Sequence, residues 1–141
     1  MQLSKGYRQL IEEARTRIRT LSLDEARTLH GDPDVLFVDI RDMRELEREG
    51  MIPGAYQAPR GMLEFWVDPA SSYHKPVLAD ESREFVLFCG AGWRSALAAK
   101  ALQDMGMNNI AHIDGGWADW TRVGAPIESL EANKARRKGK G

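Results

Sequence analysis

The sequence predicts an α/β sandwich built around a parallel β-sheet. Three segments have the length, the apolar content and the β-branched or aromatic side chains of strands buried on both faces: "DVLFVDI" (34–40), "EFVLFC" (84–89) and "NIAHID" (109–114). Segments with helical periodicity lie between them along the chain. Strands that alternate with helices in this way form parallel sheets whose two faces are covered by the helices.

Two helices and a short strand are predicted before the first of these segments. An amphipathic helix that extends the domain is predicted over residues 1–17. The apolar residues at helical spacing that predict it are Tyr7, Leu10, Ile11, Ala14 and Ile18. The segment "RIRTL" (17–21) alternates in polarity like a short strand. Ser22 and Glu25 have the spacing of a capping box, so a second helix begins there, and the turn residues "GDP" (31–33) end it.

The rest of the chain supplies the connections between and after the strands. "RDMRELEREG" (41–50) predicts a helix or a loop that ends at Gly50, and "IPGAYQAPRG" (52–61) predicts mostly turn, because proline and glycine interrupt it. Residues 62–82 are expected to form one helix and an irregular loop. "RSALAAKALQDMG" (94–106) predicts a helix that its final glycine stops, and "WADWTRVG" (117–124) predicts a short last helix.

Composition and charge limit the classes of function. The chain has 141 residues, 43% of them hydrophobic, and a formal net charge of -1, which is typical of one soluble domain and argues against capture of nucleic acid or a membrane surface by bulk charge. A single cysteine excludes an internal disulfide. No apolar segment has the length of a membrane span. A cytoplasmic location is therefore expected. Positive charge gathers near the end, so residues 129–141 are expected to form a disordered basic tail, with a contact to RNA or an acidic partner as the less favoured interpretation.

The single cysteine, Cys89, stands in the loop "CGAGWRS" (89–95) between the second strand segment and the following helix. Gly90 and Gly92 let the loop adopt backbone angles at which successive N–H groups converge on one point, and the helix N-terminus adds further donors. These donors favour a thiolate, and Arg94 supplies a cation for an anionic substrate. The pattern predicts nucleophilic catalysis by an activated thiol, in preference to the small buried apolar residue that a lone cysteine usually is.

Four segments resemble the motifs of single-domain rhodanese-like sulfurtransferases, in the order expected for that family. They are "VDIRD" (38–42), "EGMIPGA" (49–55), "CGAGWRS" (89–95) and "DGGWADW" (114–120). The family's reactive loop places four residues between the cysteine and the arginine, as this chain does, whereas the related cysteine phosphatases place five. The second motif departs from the family at Met51, where histidine is common.

The resemblance implies a rhodanese-like domain over residues 18–128, a three-layer sandwich with a mostly parallel sheet of about five strands between helices. It also implies that the Cys89 thiolate takes a sulfane sulfur from thiosulfate or a similar small anion, holds it as a persulfide and passes it to an external thiol or a protein acceptor, with no cofactor. Arg94 is the second catalytic residue in this interpretation. The residues implied to bind the persulfide and its anion are Gly90, Ala91, Gly92, Trp93 and Ser95.

Residues beside these motifs are further candidates. Arg60 and Trp66 are expected to contact the substrate, Arg60 as a cation that steers an anionic donor, with a solvated turn arginine as an equal alternative. Asp39 and Arg41 are expected to support the structure, with Arg41 paired to a carboxylate such as Glu45, and a catalytic role is the less favoured alternative.

The histidines do not indicate a metal site. His74 and His112 have no partner at the spacing of metal ligands, and the sequence contains no Cys/His cluster. His112 is interpreted as a strand-end residue, and His74 is not assigned to the pocket.

Two other functions stay open at this point. A cysteine phosphatase or an arsenate-reductase-like enzyme would use the same thiolate and anion site, with a longer loop. A non-catalytic rhodanese-like module would bind a regulatory partner or a sulfur carrier, although modules that have lost activity often lose the thiol that this chain keeps at Cys89.

Overall fold

The computed structural model describes residues 1–139 and confirms the predicted α/β sandwich. Within these residues five parallel strands form one sheet, and they are β1 (Arg19–Leu21), β2 (Val35–Asp39), β3 (Tyr56–Gln57), β4 (Glu84–Phe88) and β5 (Ile110–Ile113). Their order across the sheet is β1-β5-β4-β2-β3, so β4 lies in the middle. The loop after a central parallel strand emerges at the carboxyl edge of the sheet, where ligands bind.

Helices cover both faces of this sheet. In the described part of the chain the α-helices are α1 (Tyr7–Arg15), α2 (Leu23–Leu29), α3 (Met43–Glu49), α4 (Leu63–Val67), α5 (Trp93–Asp104), α6 (Gly116–Arg122) and α7 (Leu130–Gly139). Strand residues alternate between two core layers: Phe85 and Leu87 face the layer of α1, α4 and α5, whereas Val86 and Phe88 face the layer of α2, α3, α6 and α7. Cys89 continues the alternation and belongs to the first layer. None of these helices combines the length and the apolar content that crossing a bilayer requires.

Local sequence patterns located several helix ends correctly. Ser22 and Glu25 form the predicted capping box at the start of α2, with both reciprocal hydrogen bonds at 3.1 Å. Gly50 and Gly106 follow α3 and α5 with φ of 89° and 107°, in the left-handed region that favours glycine. The segment "RIRTL" contains β1, as its alternation predicted.

The segment "IPGAYQAPRG" contains an edge strand where the sequence predicted mostly turn. Tyr56 and Gln57 form β3 and pair in parallel with Val38 and Asp39 of β2. A strand of two residues is too short to show alternation, so the flanking glycine and proline residues dominate its pattern.

Most of the expected disordered tail is instead helix α7, so that prediction is wrong for the described residues. Leu130 and Asn133 turn inward, with 3% and 1% of their surface exposed. The Asn133 side chain donates to the carbonyl oxygen of Ala55 at 2.9 Å and to Glu128 Oε2 at 3.0 Å. The contact with Ala55 joins distant parts of the chain, which local composition cannot reveal. The last two residues lie outside the described part of the chain.

Candidate active site

Cys89 lies directly after β4, and residues 90–92 carry the chain into α5. Gly92 is the N-cap of α5 and has a φ of 92°, which a residue with a side chain rarely adopts. A Cβ atom at this position would also approach the amide nitrogen of Gly115 to 3.2 Å. The glycine therefore allows a tight turn that brings the first turn of α5 over the cysteine sulfur.

Three groups converge on that sulfur. The N–H of Gly92 donates to Cys89 Sγ at 3.3 Å, the N–H of Ser95 donates at 3.4 Å, and Ser95 Oγ lies 3.6 Å away. Hydrogen-bond donors aimed at one atom favour its anionic form. Cys89 is only 1% exposed and lies among core residues, so the two backbone N–H groups donate to a sulfur that is buried.

The side chains of Ala91 and Trp93 lie on the outside of the loop. Ala91 is exposed, and Trp93 is 52% exposed and packs on Tyr7 of α1 with ring centroids 5.3 Å apart. Among the described residues, the amides that reach Sγ are those of Gly92 and Ser95 rather than the whole loop. The Trp93 ring therefore joins the loop to α1.

Arg94 is held beside the loop by Glu45 of α3. Its guanidinium donates two hydrogen bonds to the Glu45 carboxylate, both at 2.9 Å, and lies over Gly90, where a Cβ atom would meet Arg94 Nη2 at 3.3 Å. The Arg94 hydrogen bonds lower the pKa of Glu45 to about 2. The hydrogen bonds to Glu45 raise the pKa of Arg94 against the opposing effect of burial, and Cys89 adds a smaller effect in the same direction as Glu45. Both partners are therefore charged at neutral pH. Glu45 is oriented in turn by its capping box with Asp42, in which each residue's N–H donates to the other's side chain at 3.0 Å.

Glu45→Gln is expected to remove a pH-dependent part of the stability. The pKa of Glu45 is about 2 in the folded protein, against an ordinary value of 4.5, so the unfolded state binds more protons at this carboxyl between those values. The resulting stabilisation is complete above about pH 5 and disappears as the pH falls to about 2. We expect the free energy of unfolding of wild type, measured in urea at pH 7, to exceed that of Glu45→Gln by on the order of 1–3 kcal/mol. This difference should become smaller in acid.

The matched control for this titration is Glu47→Gln, an exposed glutamate of the same helix. Its unfolding free energy should follow wild type at every pH. A constant difference between wild type and Glu45→Gln from pH 7 into acid would contradict the ion pair as its cause.

Asp39 and Arg41 form a fully buried pair at the end of β2, and both side chains are 0% exposed. Arg41 donates to the Asp39 carboxylate from Nε at 3.0 Å and from Nη2 at 2.8 Å. The same guanidinium donates to the carbonyl oxygen of Gly50 at 2.8 Å and lies 4.3 Å from the Trp117 ring centroid. The pair thus joins β2, α3 and α6. Arg41 thus pairs with a carboxylate, as expected, but the partner is Asp39 rather than Glu45, which binds Arg94.

The Gly-Gly-Trp motif (115–117) and the residue after it bind the backbone carbonyls of the cysteine loop. The N–H groups of Trp117 and Ala118 donate to the carbonyl oxygens of Cys89 and Gly90 at 2.8 and 2.9 Å. Gly116 has a φ of 51°, and a Cβ atom there would lie 2.3 Å from the carbonyl oxygen of Cys89. The carbonyls of the loop are thereby bound on one side, while its amides face the sulfur on the other. The resemblance identified this motif, but the residues alone did not indicate its role.

Arg60 and Trp66 lie on the segment that follows β3. The Arg60 guanidinium pairs with Glu64 at 2.7 Å, and its backbone N–H donates to the carbonyl oxygen of Ile40 at 3.1 Å. Trp66 is half-buried, and its carbonyl oxygen lies 3.0 Å from His74 Nδ1. Within residues 1–139, neither Arg60 nor Trp66 forms a hydrogen bond to the cysteine loop, so their contact with substrate stays a prediction.

His112 is a site residue that the sequence interpretation missed. It is fully buried on β5, with Nδ1 3.0 Å from Ser95 Oγ and Nε2 3.0 Å from Thr20 Oγ1. Burial, assisted by the charge of Arg15, lowers the pKa of His112 to about 4. The only indication in the sequence was its place in a strand next to the cysteine strand. No group of three or more His, Cys, Asp and Glu side chains in residues 1–139 has the arrangement of a metal site.

Comparison with known proteins supports the resemblance found in the four motifs. Residues 22–123 match the family model for the rhodanese-like domain. A sulfurtransferase from Allochromatium vinosum is 35% identical over 98 residues, which cover 70% of this chain and 82% of that protein.

Solved structures show similar folds. A protein of unknown function from Rhodopseudomonas palustris, described as a possible tyrosine phosphatase, is 48% identical, with a TM-score of 0.87 over 91% of this chain and 98% of that one. The polysulfide-sulfur transferase homodimer from Wolinella succinogenes is 28% identical, with a TM-score of 0.66 over 87% of both chains.

Proposed function

The chain belongs to the rhodanese-like domain family, and on this premise we propose that it is a sulfurtransferase that carries a sulfane sulfur on Cys89. The observation that carries the proposal is the convergence of two backbone N–H donors, those of Gly92 and Ser95, on Cys89 Sγ. Preorganised donors of this kind stabilise the charge of a sulfur nucleophile without reorganisation during the reaction.

In the first half-reaction, the Cys89 thiolate attacks the outer sulfur of thiosulfate or a similar small anionic donor. A new S–S bond forms at Sγ, the S–S bond of the donor breaks, and sulfite leaves with the bonding electron pair. The negative charge then lies on the outer sulfur of the persulfide. Arg94 supports this choice of an anionic donor, because its side chain is a charged group beside the loop that keeps 43% of its surface exposed.

In the second half-reaction, a nucleophile attacks the outer sulfur and Cys89 leaves as a thiolate. A thiol acceptor becomes a persulfide, and cyanide becomes thiocyanate. These 141 residues contain one cysteine, so the acceptor in this proposal is a separate small thiol or a protein thiol rather than a second cysteine of the chain.

Phosphatase chemistry is the second candidate, because the Rhodopseudomonas relative is described as a possible tyrosine phosphatase. Two observations favour sulfur transfer over it. The loop places four residues between Cys89 and Arg94, one fewer than in the phosphatases it resembles, and a smaller ring suits a single sulfur atom better than a tetrahedral phosphate. Arg94 already gives two hydrogen bonds to Glu45, so fewer of its donors are free to clamp phosphate oxygens.

The intact mass after incubation with thiosulfate tests the proposal. We expect one added sulfur atom, which disappears as thiocyanate when cyanide is added and is absent from Cys89→Ser. Cys89-dependent hydrolysis of an aryl phosphate with no sulfur loading would replace the proposal with the phosphatase. Neither activity, in protein that is folded by circular dichroism, would favour a non-catalytic module.

A further inference from the structure

A chain of hydrogen bonds leads from the buried cysteine sulfur to the surface of the protein. Ser95 Oγ lies 3.6 Å from Cys89 Sγ and 3.0 Å from His112 Nδ1, and His112 Nε2 lies 3.0 Å from Thr20 Oγ1. Ser95 and His112 are 0% exposed, whereas Thr20 is exposed. The four side chains therefore form a continuous path with one buried end and one end in solvent.

The sheet register builds this path. His112 on β5 is the register partner of Thr20 on β1 and of Leu87 on β4. Cys89 is two positions beyond Leu87, so its side chain points to the same face of the sheet as Leu87. Helix α5 packs on that face and brings Ser95 between the sulfur and the imidazole.

The imidazole of His112 is neutral at pH 7. Burial is the main cause of its lowered pKa of about 4, the charge of Arg15 on α1 acts in the same direction, and the charge of Asp114 opposes both. A neutral imidazole has one N–H donor and one acceptor nitrogen. The hydrogen bonds of the path can therefore donate in either of two directions, and we call this direction the polarity of the path. In one polarity the imidazole proton is on Nδ1, and in the other it is on Nε2.

We propose that Thr20, His112 and Ser95 form a relay through which the proton of the buried Cys89 thiol reaches solvent, and that the resulting polarity of the relay stabilises the thiolate. His112 is the positioning residue of the relay, since it acts on the sulfur through the Ser95 hydroxyl. The inference deepens the proposed function, because the thiolate is both the nucleophile of the first half-reaction and the leaving group of the second.

Each step of the relay moves one proton by one position. In the thiol form, Cys89 donates to Ser95 Oγ, Ser95 donates to His112 Nδ1, and His112 Nε2–H donates to Thr20 Oγ1. When the Thr20 hydroxyl gives its proton to water, the other three protons shift along the path and the sulfur becomes an anion. In the new polarity, Thr20 donates to Nε2, Nδ1–H donates to Ser95, and the Ser95 hydroxyl donates to the thiolate.

The thiolate absorbance in the ultraviolet tests the relay, because the chain has one cysteine and Cys89→Ser supplies the blank. The variants are Ser95→Ala, His112→Leu and His112→Asn, whose amide offers a donor near the position of Nδ1. Loss of a hydrogen bond to a charged group predicts a thiolate-to-thiol ratio at pH 7 about tenfold lower in Ser95→Ala and His112→Leu, with His112→Asn nearer to wild type. The control is His30→Leu, whose imidazole bonds Pro53 in the other core layer and should leave the titration unchanged.

A second measurement covers the case in which a substitution at the buried His112 prevents folding. Nitrogen-15 NMR of the unsubstituted protein reports the imidazole tautomer, which should be Nδ1–H when Cys89 is a thiolate and Nε2–H when it is a thiol. Thiolate titrations of Ser95→Ala and His112→Leu that match wild type, or a tautomer that does not respond to the sulfur, would overturn the relay. Failure of thiosulfate to load sulfur would overturn the proposed function alone, since neither measurement uses a sulfur donor.

Discussion

Replacing Arg41 with leucine is expected to destabilise the protein by about 3–5 kcal/mol, because Asp39 would then be an unpaired charge inside the core. The side chains of both residues are 0% exposed, and the guanidinium donates to both oxygens of the carboxylate. The substitution also removes the hydrogen bond to the carbonyl oxygen of Gly50 and the contact with the Trp117 ring. Denaturant unfolding followed by tryptophan fluorescence measures the loss.

A surface arginine of α3 provides the control. Arg48 has a side chain that is 68% exposed and pairs with Glu49, so Arg48→Ala should change the unfolding free energy by no more than about 0.5 kcal/mol. The double variant Asp39→Leu, Arg41→Leu removes the uncompensated charge and should recover part of the loss. If the free energy of unfolding of Arg41→Leu were no lower than that of Arg48→Ala, the result would contradict a large contribution of the buried pair to stability.

The features that the sequence predicted well are those with a local cause. The runs around Phe37 and Val86 are continuously apolar because both faces of the central strands are covered. The capping box at Ser22 depends on residues three positions apart, and the glycines after α3 and α5 depend on their own backbone angles. The loop at Cys89 belongs to the same class, because its glycines and the helix that follows are neighbours in the chain.

The contacts that complete the candidate site have no local cause, and the sequence did not predict them. Arg94 and its partner Glu45 are 49 positions apart, and Thr20 and His112 are 92 positions apart. Such pairs depend on which strands become neighbours in the sheet and on the register between them. The periodicity of apolar residues in the sequence predicts neither the strand order nor the register. The composition of α7 predicted disorder wrongly for the same reason, because the contact between Asn133 and Ala55 joins residues 78 positions apart.

Gly116→Ala is expected to lower kcat/KM for sulfur transfer by roughly 100-fold, the order of effect of a displacement of about 1 Å at a reacting group. The new Cβ atom would lie 2.3 Å from the carbonyl oxygen of Cys89, and this backbone atom can move only with the loop itself. Any such movement disturbs the hydrogen bonds that Trp117 and Ala118 give to the loop carbonyls. The sulfur and the amides aimed at it would then lose their alignment.

Gly124→Ala separates this effect from backbone strain. Gly124 also has a positive φ, 72°, but a Cβ atom there would meet nothing within 4 Å. Both variants should lose about 1–2 kcal/mol of stability from the left-handed conformation, whereas only Gly116→Ala should lose sulfur transfer. Steady-state kinetics with thiosulfate and cyanide, run beside denaturant unfolding, measures the two quantities separately. Equal activity in the two variants would mean that the loop position does not depend on the close approach of α6, and that the amides reach the sulfur without its support.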